Sequence, residues 1–188
     1  VNFFFFLNSE YSAVIVICNN RSGILKDIVQ GLSFSQINIL GSRIISLNNN
    51  HVIDIFWVCN SAQKALKEKN EQNRLIQNLT ASVEGIQIEA ISDLLNFKSN
   101  LEVTPKITID NKMSKNVTTY QILSGDRKGL LMDILIIFNK NHVIVQSAKI
   151  STYREKIFNI FQITDIKNNK IKDADLIKSL EEQLIKVL

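Results

Sequence analysis

With 188 residues, 45% apolar content, 6 Gly and a single Pro, the chain has ample material for a packed core and too few chain-breaking residues for a collagen-like, linker-rich or disordered class. Its net charge of +4 comes from charges spread along the chain, with no basic runs, so nucleic acid is not an expected partner. Two Cys without CxxC spacing provide neither a zinc site nor a disulfide framework, and no stretch approaches the roughly 20 apolar residues of a membrane span, so the expectation is a protein of the reducing cytoplasm with no membrane partner.

In chain order, the apolar run Phe3 to Leu7 is too short for a signal-peptide core and lacks a positive flank. A β-rich run follows from Ala13 to Cys18 and ends at the polar turn Asn20-Arg21-Ser22-Gly23. Beyond the turn, Ile24, Leu25, Ile28, Val29 and Leu32 fall at helical spacing and make one apolar face. Two strand-like runs come next, Ile37 to Leu47 and His51 to Cys59. They are joined by Asn48-Asn49-Asn50, read as a hairpin turn because Asn tolerates left-handed backbone geometry. Phe56 and Trp57 are out of phase in the second run, so the two rings cannot share one core. A second helix carries Leu75, Ile76, Leu79 and Val83 on one face. The closing strand of this module is either Ile86 to Ile91 or Lys106 to Asp110. The second is preferred, since Glu89 to Lys98 reads as helical and Pro105 suits the start of an edge strand.

The same order of elements then repeats. Asp126-Arg127-Lys128-Gly129-Leu130-Leu131-Met132-Asp133-Ile134 matches Asn20-Arg21-Ser22-Gly23-Ile24-Leu25-Lys26-Asp27-Ile28, with an offset of 127 − 21 = 106 residues. The offset pairs Asp27 with Asp133 and Ile44 with Ile150, and after a one-residue slip near His51 it pairs Ile55-Phe56 with Ile160-Phe161. The second copy therefore reads as a strand from Val117 to Leu123, a helix with Leu130, Leu131, Ile134, Leu135 and Phe138 on one face, and strands Val143 to Tyr153 and Ile157 to Thr164 around the turn Arg154-Glu155-Lys156. Its last helix shows Leu176, Ile177, Leu180 and Leu184 on one face, with Asp173 as the N-cap.

The expected fold class is α+β, two tandem ferredoxin-like βαββαβ modules, each with two helices on one face of its sheet. Residues 1–111 form the first module, with a helical insertion before its last strand, and residues 117–188 form the second. The second module ends inside its helix and so lacks its last strand unless a partner supplies one.

The chemistry of the repeat lies in its turns. A turn leading from a strand into a helix presents free backbone N–H groups and the positive helix end, which can hold a carboxylate or phosphate, and Gly23 and Gly129 would allow close approach. The alternative is purely structural: turn glycines, a capping Asp126, a solvated Arg127, and Asp27 and Asp133 complementing the helix dipole. No catalytic residues, metal ligands or cofactor are expected. The sequence has no carboxylate cluster beside a Gly-Ser turn, no GxSxG elbow, no His adjacent to Cys18 or Cys59, and only His51 and His142, neither followed by Asp.

Asp126-Arg127-Lys128-Gly129-Leu130-Leu131 resembles the DRPGLL signature that opens the first helix of ACT domains. Thr104 to Asn111 (TPKITIDN), Ser114 and Ser147-Ala148-Lys149-Ile150-Ser151-Thr152 resemble the last segment of the PII uridylyltransferases, and the likeness runs from about Ser12 to Leu188. The resemblance implies a tandem ACT regulatory region that senses an amino acid, glutamine. Its implied partners are the catalytic domains of a bifunctional uridylyltransferase/uridylyl-removing enzyme, the PII protein, and a second copy paired through ACT sheets.

The ligand-facing positions it implies are Asn20, Arg21, Ser22 and Gly23, then Asp126, Arg127, Lys128 and Gly129, with Asn38 and Ser147 on neighbouring strands. Asn20 and Ser22 stand where the first motif of the family has Asp and Pro, and Lys128 where the second has Pro, so the turn from Asp126 to Gly129 is the favoured site. The alternative is a stand-alone amino-acid-responsive regulator resembling the tandem-ACT repressor of the glycine cleavage system, although TIDN favours the uridylyltransferase lineage.

Overall fold

The computed structural model describes residues 1–8, 10–47, 50–86, 103–153 and 155–188. The chain divides into two compact units, Val1–Asp93 and Leu94–Leu188. Asn48, Asn49 and Arg154 of the expected turns lie outside the described residues, as do Glu89 to Lys98 and the run to Ile91 beyond Ile86.

The first unit contains β1 (Asn2–Leu7), β2 (Ser12–Asn19), α1 (Ile24–Phe34), β3 (Asn38–Ser46), β4 (His51–Cys59) and α2 (Lys69–Val83). Its antiparallel sheet has the order β1-β2-β4-β3. Alternation decides which side of each strand meets the helices: Val14 and Val16 of β2 and Val52, Phe56 and Val58 of β4 are buried. Ile28 and Leu32 of α1 and Leu75 and Leu79 of α2 complete the core, each with no exposed surface. Trp57 points the other way from Phe56, as the phase argument requires. The two helices approach at backbone distance near Gly31, where an added Cβ would lie 2.9 Å from Leu79 Cα and 3.1 Å from the Asn78 carbonyl oxygen.

The second unit repeats the plan with β5 (Lys106–Asp110), β6 (Thr118–Gly125), α3 (Leu130–Lys140), β7 (Ile144–Tyr153), β8 (Lys156–Thr164) and α4 (Ala174–Ile185). Its strand order is β5-β6-β8-β7, again antiparallel. Phe138 sits at its centre, edge-on to Tyr120 at 6.2 Å and to Phe161 at 5.3 Å between ring centroids. Asp173 caps α4 as expected, accepting from the amides of Asp175 and Leu176 at 2.9 and 3.2 Å. The repeat extends to irregularities: register shifts fall between Ile39 and Gly41 in one unit and between Val145 and Ser147 in the other, the same place at an offset of 106.

The modules differ from the sequence reading in how each sheet is closed. Lys106–Asp110 was expected to finish the first module, but it pairs with β6 and is the fourth strand of the second. The matching position in the first sheet is held by β1, a strand the sequence reading did not recognise. Each module therefore runs β-β-α-β-β-α, with the closing strand of the ferredoxin-like plan placed at the front. Among the described residues α4 is the last element, and β5 takes the sheet position beside β6. The reason is geometric: a strand antiparallel to the central β2 or β6 can enter from either chain end. Phe3 and Phe5 pair with Val16 and Val14 and lie half-buried on the core side, an apolar gain of about 1 to 2 kcal/mol per ring that holds the strand.

Candidate functional site

Each expected turn is built on a left-handed glycine. Gly23, with φ 78°, immediately precedes α1, and Gly129, with φ 80°, immediately precedes α3. A Cβ at Gly129 would meet nothing within 4 Å, so the backbone angle is what demands glycine there, with no neighbouring group crowding it. The first helical bonds are the same in both: Ile24 N–H donates to the Arg21 carbonyl and Leu130 N–H to the Arg127 carbonyl, both at 3.2 Å, and Asp27 and Asp133 amides donate to Gly23 and Gly129 at 3.0 Å. Neither helix receives a side-chain cap, so Asp126 does not cap α3. Burial raises the Asp126 carboxyl above its usual range, the Arg127 amide opposes that, and the nearby Glu155 charge adds to it.

Both arginines are held by specific partners, Arg127 as a part-buried group and Arg21 as an exposed one. Arg21 Nη1 pairs with Asp27 Oδ2 at 2.7 Å, while Nη2 donates to the Val83 carbonyl at 2.7 Å. Arg127 Nη2 pairs with Asp133 Oδ2 at 2.5 Å and donates to the Val187 carbonyl at 2.7 Å. In each module the guanidinium thus ties the start of the first helix to the end of the second, and the first-turn aspartate that complements the dipole also fixes the arginine. Val83 is the last residue of α2, and its carbonyl is one of those a helix end leaves without an internal partner.

The remaining expected residues separate. Asn20 donates its amide to the Asn50 carbonyl at 2.8 Å, and Ser22 and Lys128 are exposed. Asn38 lies at the far end of its sheet from the turn, since it pairs with Cys59 while Asn19, before the turn, pairs with His51. The span along β4 is 59 − 51 = 8 residues, about 27 Å at roughly 3.4 Å per residue. Ser147 likewise pairs with Gln162, 162 − 156 = 6 residues along β8 from Lys156 beside Gly125, and its Oγ donates to Gln162 Oε1 at 2.7 Å. Within one module, therefore, neither residue can share a small ligand with the turn.

A cavity of about 370 Å³ opens beside the first turn, lined among others by Asn2, Cys18, Asn19, Arg21, His51 and Val83. That volume is in the range of small-molecule sites. The sequence favoured the second turn; the cavity adjoins the first. Cys18 brings no nucleophile to it, because burial, then the Asp54 charge, push its thiol up to about 11.

Within the sheet of the first module lies a residue that the sequence reading passed over. Asp54 is fully buried between Val16 of β2 and Ile44 of β3, and neither carboxyl oxygen has a hydrogen-bond partner. Burial pushes its carboxyl up to about 8. The signal was present: Asp54 interrupts the apolar alternation Val52, Phe56, Val58, and its repeat mate at an offset of 105 is Asn159, also buried. Asn159 does find a partner, accepting from the Ser151 amide at 3.3 Å. Among the described residues no three His, Cys, Asp or Glu side chains gather around a common metal position, and no helix is long and apolar enough to cross a membrane.

Residues 106–188 match the family of the ACR9-like, ACT-like domain, a match that begins at the first residue of β5. The chain is similar to the bifunctional uridylyltransferase/uridylyl-removing enzyme of Azospirillum brasilense, with 25% identity over 93% of this chain and 20% of that protein. It is similar also to that of Gluconobacter oxydans, with 27% identity over 90% of this chain and 19% of the relative. The chain therefore spans about a fifth of the length of the curated relatives it matches. A solved structure described as a putative glycine cleavage system transcriptional repressor shows 12% identity, covers 93% of this chain and 88% of its own, and has a TM-score of 0.30. The chain folds as two ferredoxin-like modules, the second of which matches the ACT-like domain family, and it is similar to the uridylyltransferase/uridylyl-removing enzymes over about a fifth of their length.

Proposed function

We propose that this chain is an amino-acid-responsive regulatory region, with glutamine as its effector. It would work beside the catalytic domains of a uridylyltransferase/uridylyl-removing enzyme and so govern the modification of a PII protein. The observation that carries the reading is the cavity beside Arg21, which places a guanidinium and an uncapped helix N-terminus around one small space. A free amino acid suits that space, because its carboxylate is the group that oriented N–H donors and a guanidinium recognise. The similarity over 93% of the chain to one such enzyme, of which the chain spans 20%, supports a part played beside other domains.

Titration calorimetry with L-glutamine, with folding checked by circular dichroism, tests the reading. Saturable heat at millimolar glutamine is expected from the wild type, with binding weakened about tenfold or more in Arg21→Gln through loss of a charge-assisted contact. A wild-type chain that gives no heat at millimolar glutamine contradicts the effector assignment.

A further inference from the structure

The two arginines hold equivalent partners, a first-turn aspartate and a carbonyl at the end of the second helix, through different nitrogens and with different completeness. On Arg127, Nε and Nη2 both donate to the Val187 carbonyl, at 3.2 and 2.7 Å, Nη2 also meets Asp133, and Nη1 donates to the Lys128 carbonyl at 3.3 Å. Every nitrogen of that guanidinium has a partner, and its side chain is 19% exposed. On Arg21, Nη1 holds Asp27 and, at 3.4 Å, the Ser22 carbonyl, and Nη2 holds only the Val83 carbonyl. Its Nε has no bond among the described residues, its side chain is 43% exposed, and it lines the cavity together with Val83.

A carboxylate binds a guanidinium best through two parallel N–H···O bonds. The Nη1 side of Arg21 is committed to the Asp27 charge, which leaves the edge formed by Nε and Nη2. Of the two nitrogens on that edge, Nε is open and Nη2 already donates to a neutral carbonyl. We propose that in the first module a small carboxylate, the α-carboxylate of the effector, seats on the Nε/Nη2 edge of Arg21 and displaces the Val83 carbonyl, so that filling the cavity loosens the end of α2. The inference rests on the amino-acid-sensing reading and assigns its mechanism to one module.

A charged acceptor replaces a neutral one on the arginine, and the released carbonyl belongs to a half-buried residue at the cavity's edge. Asp27 stays paired, so Arg21 remains anchored to its turn. The end of α2 is a glycine-closed terminus: Gly85, at φ 74°, donates to the Ser82 carbonyl at 3.2 Å, and Ile86 donates to the Ala81 carbonyl at 2.9 Å. With Val83 no longer held, those two amides are the ones that fray. Arg127 has no open edge, so the end of α4 stays clasped.

Amide hydrogen exchange on the 188-residue chain, with L-glutamine and with L-glutaminamide, which lacks the carboxylate, tests this. Glutamine should speed exchange at Gly85 and Ile86 by about tenfold, the worth of one hydrogen bond to a charged group. Val187 and Leu188, whose amides donate to the Leu184 carbonyl, should not change. Arg21→Gln should speed the same two amides without any ligand, and glutaminamide should have no effect on the wild type. Saturable calorimetric heat with unchanged exchange at Gly85 and Ile86 overturns the switch and leaves the sensing reading standing. Equal acceleration by glutaminamide overturns the carboxylate's part, and absence of any glutamine heat overturns both.

Discussion

Replacing Asp54 by Asn should flatten the pH dependence of the first module's stability. In the folded chain this carboxyl is buried with both oxygens unpartnered and is pushed from 3.8 to about 8 by loss of solvent. The unfolded chain releases the proton above pH 4, whereas the folded chain keeps it nearly to pH 8, so the folded state binds more protons throughout that window. The contribution to stability is therefore fully present below the unfolded pKa and is lost as pH rises toward the folded one. The slope is about 1.4 kcal/mol per pH unit, or on the order of 4 kcal/mol between pH 4 and pH 7. Cys18, the titratable group facing Asp54 from β2, is pushed up to about 11 and stays neutral across the window.

Asn preserves the shape and removes the titration, and Asn159 already holds the equivalent place in the second module. Trp57 is the chain's only tryptophan and lies in the same strand, so its fluorescence in urea follows the first module by itself. The wild type should lose midpoint steadily from pH 5 to pH 8 while Asp54→Asn stays nearly level. Parallel profiles would show that Asp54 ionises freely in the folded chain and that its burial is not as described.

Other perturbations follow from particular contacts. Gly31→Ala should destabilise the first module by about 1 to 3 kcal/mol in urea unfolding, because the new methyl meets the α2 backbone at 2.9 Å and forces the helices apart. Arg127→Met should cost about 2 kcal/mol, since it strips a part-buried pair with Asp133 and the Val187 contact. Arg21→Met should cost less, about 0.5 to 1 kcal/mol, because its side chain is 43% exposed and screened; equal losses would contradict the difference between the two clasps. Gly129→Ala should lower stability by about 1 to 2 kcal/mol through backbone strain at φ 80° with no steric clash, and Gly129→Asn should recover part of it.

Much of the fold was legible because side-chain alternation and helical spacing are local. The element from His51 to Cys59 and the face of Leu130, Ile134 and Phe138 appear as the sequence implies, and the 106-residue offset carries over to paired turns and register shifts. Strand closure was not legible, because Phe3 to Leu7 carries no apolar-polar alternation to mark it as a strand, and Lys106 to Asp110 could pair with a strand before or after it in the chain with no local pattern to distinguish the two. The site was legible only in outline. Motif spacing located the turns, but the roles of Arg21 and Arg127 depend on Val83 and Val187, some 60 residues away. Asp54 could have been found from its break in an apolar alternation, yet its lack of partners is a property of the packed core.

The central claim, an amino-acid effector at the first turn, is tested most directly by mapping backbone amide shifts of the chain as L-glutamine is added. The account predicts saturable shifts concentrated at Asn19 to Asp27 and Val83 to Ile86, around the cavity that Arg21 and Val83 line. Shifts confined to Asp126 through Asp133, or none at millimolar glutamine, would contradict it.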